Sequence, residues 1–102
     1  MLACALADLR RVGSYSAGFG RWGHADLGGN VAEWAVDYSN VWTPGCVDCA
    51  GFTGVTGGNG TYRVFRGGGF RSSPRALHAA VEAGYVPYGQ NDYIGARCAR
   101  VP

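Results

Sequence analysis

Asp26 and Glu33 are carboxylates seven positions apart, and the segment between them holds Gly28, Gly29 and Asn30. Glycine and asparagine are used where a chain turns sharply and leaves its backbone oxygens open. A hard cation such as calcium takes about six to eight oxygens, from carboxylates and backbone carbonyls alike. Asp26 and Glu33 can offer carboxylate oxygens, and the bent backbone from Gly28 to Val31 can offer carbonyls. The spacing is not that of a standard calcium loop. On spacing alone, the segment reads as a tight turn with two solvated acids leading into Trp34.

The cysteines are the second chemical resource. Cys46-Val-Asp-Cys49 is a C-x-x-C, and Cys4 and Cys98 complete a set of four. Such a pair suits zinc, redox chemistry or disulfide formation. Zinc takes about four nitrogen or sulfur ligands, commonly from two such pairs, and only one is present. No βαβ pattern surrounds it, which argues against a thioredoxin-type centre. An even cysteine count in a small glycine-rich chain fits structural disulfides among Cys4, Cys46, Cys49 and Cys98, and an extracytoplasmic location. His24 and His78 lie on different segments and are assigned to no metal. No Ser-His-Asp or Cys-His pairing can be assembled from spacing. Arg71, Arg75 and His78 are the best candidates for contact with a ligand, whereas Arg66 and Arg97 read as buried structural pairs or backbone contacts.

Three ordered blocks carry a family resemblance. Asp26-Leu27-x-Gly29-Asn30-Val31-x-Glu33-Trp34 resembles the signature of the formylglycine-generating-enzyme family, also called the sulfatase-modifying-factor domain. Arg63-Val64-Phe65-Arg66-Gly67-Gly68-Gly69-Phe70 resembles its R-V-x-R-G-G-S-[WFY] block, and Ile94-Gly95-Ala96-Arg97-Cys98 its terminal x-G-F-R-C. The resemblance runs from about Val12 to the end and covers the C-terminal part of the domain, so residues 1–102 are read as one such portion. It implies an α+β, irregular, loop-rich C-type-lectin-like fold, and a calcium site formed by the Asp26 and Glu33 side chains with the Gly29 and Val31 carbonyls. It also implies that the cysteine of the terminal block often bonds upstream. Cys98 then has Cys4, the C-x-x-C pair or the missing N-terminal half of the domain to choose from.

In the family that this chain resembles, the active members are oxidases that convert a substrate cysteine to formylglycine with oxygen and copper(I). Two cysteines just after the R-G-G-S block hold the metal, and soft thiolates suit copper(I). The corresponding positions here are Ser72 and Leu77; the active-site serine is Gly69, and the aromatic before Glu-Trp is Ala32. Copper is therefore not expected, and no catalytic residue is assigned. Histidine-bound iron, used by sulfoxide synthases of the superfamily, sits in another domain. The leading expectation is a non-catalytic, calcium-stabilised binding or structural module. A working oxidase completed by its other half is the alternative, and a lectin-fold display scaffold varying between Arg71 and Asp92 is a third reading.

Composition bounds these readings. A chain of 102 residues suits one small domain with a thin stability margin. Its 18 glycines, against a usual share of about 7 %, favour turns over helices. Thirteen aromatic residues argue against disorder. All nine basic residues are dispersed arginines and the net charge is +2, so no nucleic-acid footprint is visible. No apolar run is long enough to span a membrane. Met1 to Leu9 is apolar but lacks a basic lead, and reads as an internal start or fragment edge rather than a signal peptide. The partner is an unspecified protein, a small ligand or the missing half.

Local pattern sets the scaffold around these residues. Ala3 to Leu9 is predicted as a short helix and Val12 to Tyr15 as an extended segment. Val31 to Asp37 reads as a strand. Tyr38 to Gly60 reads as a long loop pinned by the cysteine pair, with Thr61 to Arg66 a second strand ending at three glycines. Ser73-Pro74 and the alanine-rich run behind it read locally as a helix, but the resemblance places about Leu77 to Val81 extended, which is preferred. Tyr93 to Arg100 is the final strand, and Trp22, Trp34, Trp42 and Phe70 are the expected core.

Overall fold

The alternating run after Val31 forms the longest strand, β1 (Ala32–Tyr38), in a computed structural model that describes residues 4–39, 44–47, 49–51 and 62–98. The second alternating run gives β2 (Arg63–Arg66), followed by β3 (Ala83–Tyr85) and β4 (Ile94–Gly95). The sheet order is β3-β2-β1-β4, antiparallel at β3–β2 and β2–β1 and parallel at β1–β4. Three single 3-10 turns, Leu6–Asp8, Ser16–Gly18 and Pro74–Leu77, are the only helices among the described residues. The result is a loop-rich fold around one small mixed sheet.

Cross-strand pairing explains the β1–β2 register. Trp34 sits opposite Phe65, with ring centroids 5.9 Å apart and planes at 82°. Such edge-to-face pairs contribute roughly 0.5–1.5 kcal/mol beyond burial. Farther along, the register slips between Trp34 and Tyr38, and the Arg63 guanidinium lies 3.7 Å from the Tyr38 ring centroid. Arg63 also donates to the Val36 carbonyl. Beyond β1, Tyr38 N–H donates to the Gly51 carbonyl (3.0 Å) and Gly51 N–H to Asp37 Oδ1 (2.7 Å), which returns the long loop to the sheet. Trp42 and most of the Tyr38–Gly60 loop lie outside the described residues.

The three glycines after β2 let two backbones meet. Gly67 and Gly68 adopt φ of +92° and +63°, a region that side chains disfavour. A Cβ on Gly69 would stand 3.0 Å from the Tyr93 carbonyl oxygen and 3.3 Å from Ala32 N. That close approach seats Phe70 beside the start of β1, where its N–H donates to the Asn30 carbonyl (2.7 Å). Ala32, Val64 and Phe70 are the buried hydrophobic residues among those described.

Several expectations need correcting. The Ala3–Leu9 helix is a single turn over Leu6–Asp8, closed by Ala5 N–H donating to Asp8 Oδ2 at 2.7 Å. The Val12–Tyr15 segment forms no strand, because Gly13 at φ +77° turns it. Neither a helix over 75–83 nor a strand at Leu77–Val81 forms. Pro74–Leu77 is a 3-10 turn, continued by a turn in which Val81 N–H donates to the His78 carbonyl (2.9 Å), so β3 starts only at Ala83. Trp34 is half-buried, and Trp22, expected in the core, is 79 % exposed.

Candidate cation-binding site

The loop from Asp26 to Asn30 is wound by three left-handed residues: Asp26 (φ +53°), Gly29 (φ +85°) and Asn30 (φ +60°). Aspartate and asparagine tolerate this conformation better than most residues because their short side chains bond locally or to nearby backbone. Here the bonds reach a distant segment. Asp26 Oδ2 accepts from Gly13 N–H (2.6 Å). Asn30 Oδ1 accepts from Arg10 N–H (2.9 Å) and its Nδ2 donates to the Arg10 carbonyl (2.8 Å), which mimics a strand rung. Gly29 N–H donates to the Gly67 carbonyl at 2.8 Å, tying the loop to the glycine bend.

β1 then carries Glu33 toward β4. The parallel pairing of Glu33 with Gly95 places Arg97 two residues beyond, beside the Glu33 carboxylate. All three guanidinium nitrogens of Arg97 are engaged. Nε donates to Glu33 Oε1 (3.1 Å) and Oε2 (3.0 Å), and Nη2 to Glu33 Oε1 (2.7 Å). Nη1 donates to the Ala25 carbonyl (2.6 Å), and Nη2 also to the Asp26 carbonyl (2.9 Å). The hydrogen bonds to Glu33 hold the Arg97 pKa above the usual arginine value; burial opposes the rise, and the charges of Glu33 and Asp26 add to it. Both side chains keep about a third of their surface in water, so the ion pair by itself contributes on the order of 1 kcal/mol.

Asp26, Gly29, Val31 and Glu33 all line one cavity of about 390 Å³, with Arg97 on its wall. Their donors are hard oxygens, the type calcium takes. Two carboxylates and two carbonyls could supply about six such oxygens. The residues fit a calcium ion in donor type, but Asp26 spends one oxygen on Gly13 and Glu33 shares its carboxylate with Arg97. Among the described residues no group of three or more His, Cys, Asp or Glu side chains comes together, so any cation here depends on backbone carbonyls.

A second cavity, of about 230 Å³, is lined by Gly69, Ser72 and Leu77 together with Cys4 and Asp8. Ser72 Oγ accepts from Gly69 N–H (3.0 Å), and Ser72 N–H donates to the Gly69 carbonyl (2.8 Å). Cys4 was legible in the sequence only as half of a disulfide; the structure gives it a free, exposed thiol. Cys98 is also free and exposed, whereas Cys46 and Cys49 bond to each other with Cα atoms 5.9 Å apart. Cys98 thus pairs with neither Cys4 nor the C-x-x-C pair.

The other candidates are dispersed. Arg71 pairs with Asp92 (2.7 Å) and lies over the Phe70 ring. Arg75 is exposed, and His78 lines a cavity of about 570 Å³ beside Arg66 and Leu77. Arg66 bonds Glu82 (2.6 Å) and the Ala79 carbonyl (3.0 Å), a structural role like that of Arg97, though both arginines stay partly exposed rather than buried.

Compared with known families, residues 6–102 match the model of the sulfatase-modifying factor enzyme 1-like domain. The chain belongs to this family. The match begins a few residues before Val12, where the motif resemblance starts, and takes in the Leu6–Asp8 turn. No curated protein and no solved structure matches the chain. Within the family's domain, residues of the Asp26–Trp34 block line one cavity with Arg97, and the Arg63–Phe70 block contributes the glycine bend and Gly69 to the cavity shared with Ser72 and Leu77. No helix among the described residues is long and apolar enough to cross a membrane.

Proposed function

We propose that this chain is a non-catalytic member of the family, a calcium-stabilised module of C-type-lectin-like fold that binds or supports a protein partner. The observation that carries the reading is the cavity around Gly69, Ser72 and Leu77. These are the positions at which the resemblance implies a serine and two copper-binding cysteines, and here they bring a hydroxyl and an isobutyl group into one cavity. A hard hydroxyl and an alkyl chain do not replace soft thiolates for copper(I). Calcium is supported by the gathering of Asp26, Gly29, Val31 and Glu33 around one cavity.

A partner is supported by the small core. Three hydrophobic residues are buried among those described, whereas Leu6, Val12, Tyr15, Phe19 and Trp22 are exposed. These exposed apolar side chains support a partner that covers them, and another part of the family's domain is the occupant favoured here. The Cys46–Cys49 disulfide supports an extracytoplasmic location.

One observation favours the oxidase alternative: the Cys4 thiol lines the same cavity as Ser72 and Leu77. A single assay separates the two. The protein, with any upstream half restored, is incubated with copper(I), oxygen, a reductant and a peptide bearing a sulfatase-type cysteine motif, and the peptide is weighed by mass spectrometry. The non-catalytic reading predicts an unchanged cysteine. Conversion to the aldehyde, lost in Cys4→Ser, would replace it with the oxidase reading.

A further inference from the structure

We propose that Arg97 is a built-in competitor of calcium at Glu33, so that the cavity exchanges one cation for another rather than filling an empty seat. This rests on the calcium reading and adds its regulation. Arg97 places three hydrogen bonds of 2.7–3.1 Å on the two Glu33 oxygens and two more, of 2.6 and 2.9 Å, on the Ala25 and Asp26 carbonyls. The partners are 64 to 72 residues away in sequence. One guanidinium therefore cross-links β1, the Asp26 loop and the segment after β4.

Charge decides against both cations sharing the site. Asp26 and Glu33 carry two negative charges, and Arg97 cancels one. A dication bound by Glu33 at about 2.3–2.6 Å would lie within reach of a guanidinium already bonded to both carboxylate oxygens. With Arg97 retained the cluster would be net positive; with Arg97 released it is neutral. Calcium bound at Glu33 therefore displaces the Arg97 side chain, which sits at the cavity wall with about a third of its surface already in water. Arg97 holds the fold together without calcium and weakens calcium binding for the same reason.

The test is calorimetric titration of the whole chain with calcium chloride, magnesium chloride as control, on wild type, Arg97→Gln and Glu33→Gln. Removing the competing ion pair is expected to tighten calcium binding by roughly fivefold, while Arg97→Gln melts below wild type in chelator and gains more from calcium. Glu33→Gln is expected to lose binding. Equal or weaker calcium affinity in a folded Arg97→Gln would overturn the competition while leaving the calcium reading intact. No calcium binding by wild type or Arg97→Gln would overturn both. Should Arg97→Gln fold poorly, the Arg97 Nε–H resonance of wild type is followed instead through a calcium titration. Its shift toward a solvent-exposed value is expected; a resonance unmoved at saturating calcium would overturn the proposal.

Discussion

Gly69→Ser restores the residue that the family resemblance implies at this position, and its cost comes from the geometry. A Cβ at residue 69 would meet the Tyr93 carbonyl oxygen at 3.0 Å, Ala32 N at 3.3 Å and the Tyr93 Cβ at 3.4 Å. Tyr93 O and Ala32 N are the two ends of one hydrogen bond of 2.8 Å, the rung that fastens the start of β4 to β1. Neither is the free end of a side chain, so relief requires the two strands to part by a few tenths of an ångström. Overpacking of this kind costs about 1–3 kcal/mol. Removing a glycine from the unfolded chain returns about 0.4–1 kcal/mol. The net is a loss of about 1–2 kcal/mol, or roughly 5–15 °C in melting temperature for a domain of this size. Urea and thermal unfolding of wild type, Gly69→Ala and Gly69→Ser measure it, both variants being expected to fall because the clash is at Cβ. A Gly69→Ser protein as stable as wild type would refute the steric argument and show that the cavity accepts the family's hydroxyl.

The same contacts set three further outcomes. Asn30→Ala removes both bonds to Arg10 and is expected to cost about 1–3 kcal/mol, with hydrogen exchange rising first at Arg10. Reducing the Cys46–Cys49 disulfide opens a loop with a sequence separation of only 3, so stability should drop by no more than about 2 kcal/mol, read as the melting difference with and without reductant. Calcium at about 100-fold above its dissociation constant should raise wild-type stability by about 2.7 kcal/mol, and Glu33→Ala should abolish the response, seen by melting in calcium against chelator.

The sequence made the central strands readable because alternation and glycine are local signals. β1 and β2 lie where alternating apolar residues place them, and the bend falls on Gly67 to Gly69. The segment beyond the bend was not readable locally. Ser73-Pro74 and four alanines between residues 76 and 83 favour a helix, but Arg66 grips the Ala79 carbonyl and turns the chain there. Gly84 then lies so close to Ser39 that a Cβ would stand 2.8 Å from its Oγ, an approach that only a glycine at β3 permits. That Asp26, Gly29 and Glu33 share one cavity was legible in part, because they are neighbours in sequence. Arg97 was legible as a pairing residue but not as the partner of Glu33, since no spacing rule connects positions 64 apart. The exposure of Trp22 was hidden because hydrophobicity says what prefers burial, not whether a neighbouring surface is present to supply it.

The non-catalytic reading requires that the cavity at Gly69, Ser72 and Leu77 lack a copper site because two thiols are missing. Copper(I) affinity decides it, determined by competition with a chromophoric chelator, for wild type and for the double variant Ser72→Cys/Leu77→Cys. The double variant is built on a Cys4→Ser/Cys98→Ser background, itself titrated beside wild type, so that the free thiols do not contribute. The expected result is no tight site in either protein that keeps Ser72 and Leu77, and one copper(I) per chain in the double variant. A tight one-to-one site in wild type that disappears with Cys4→Ser would contradict the reading.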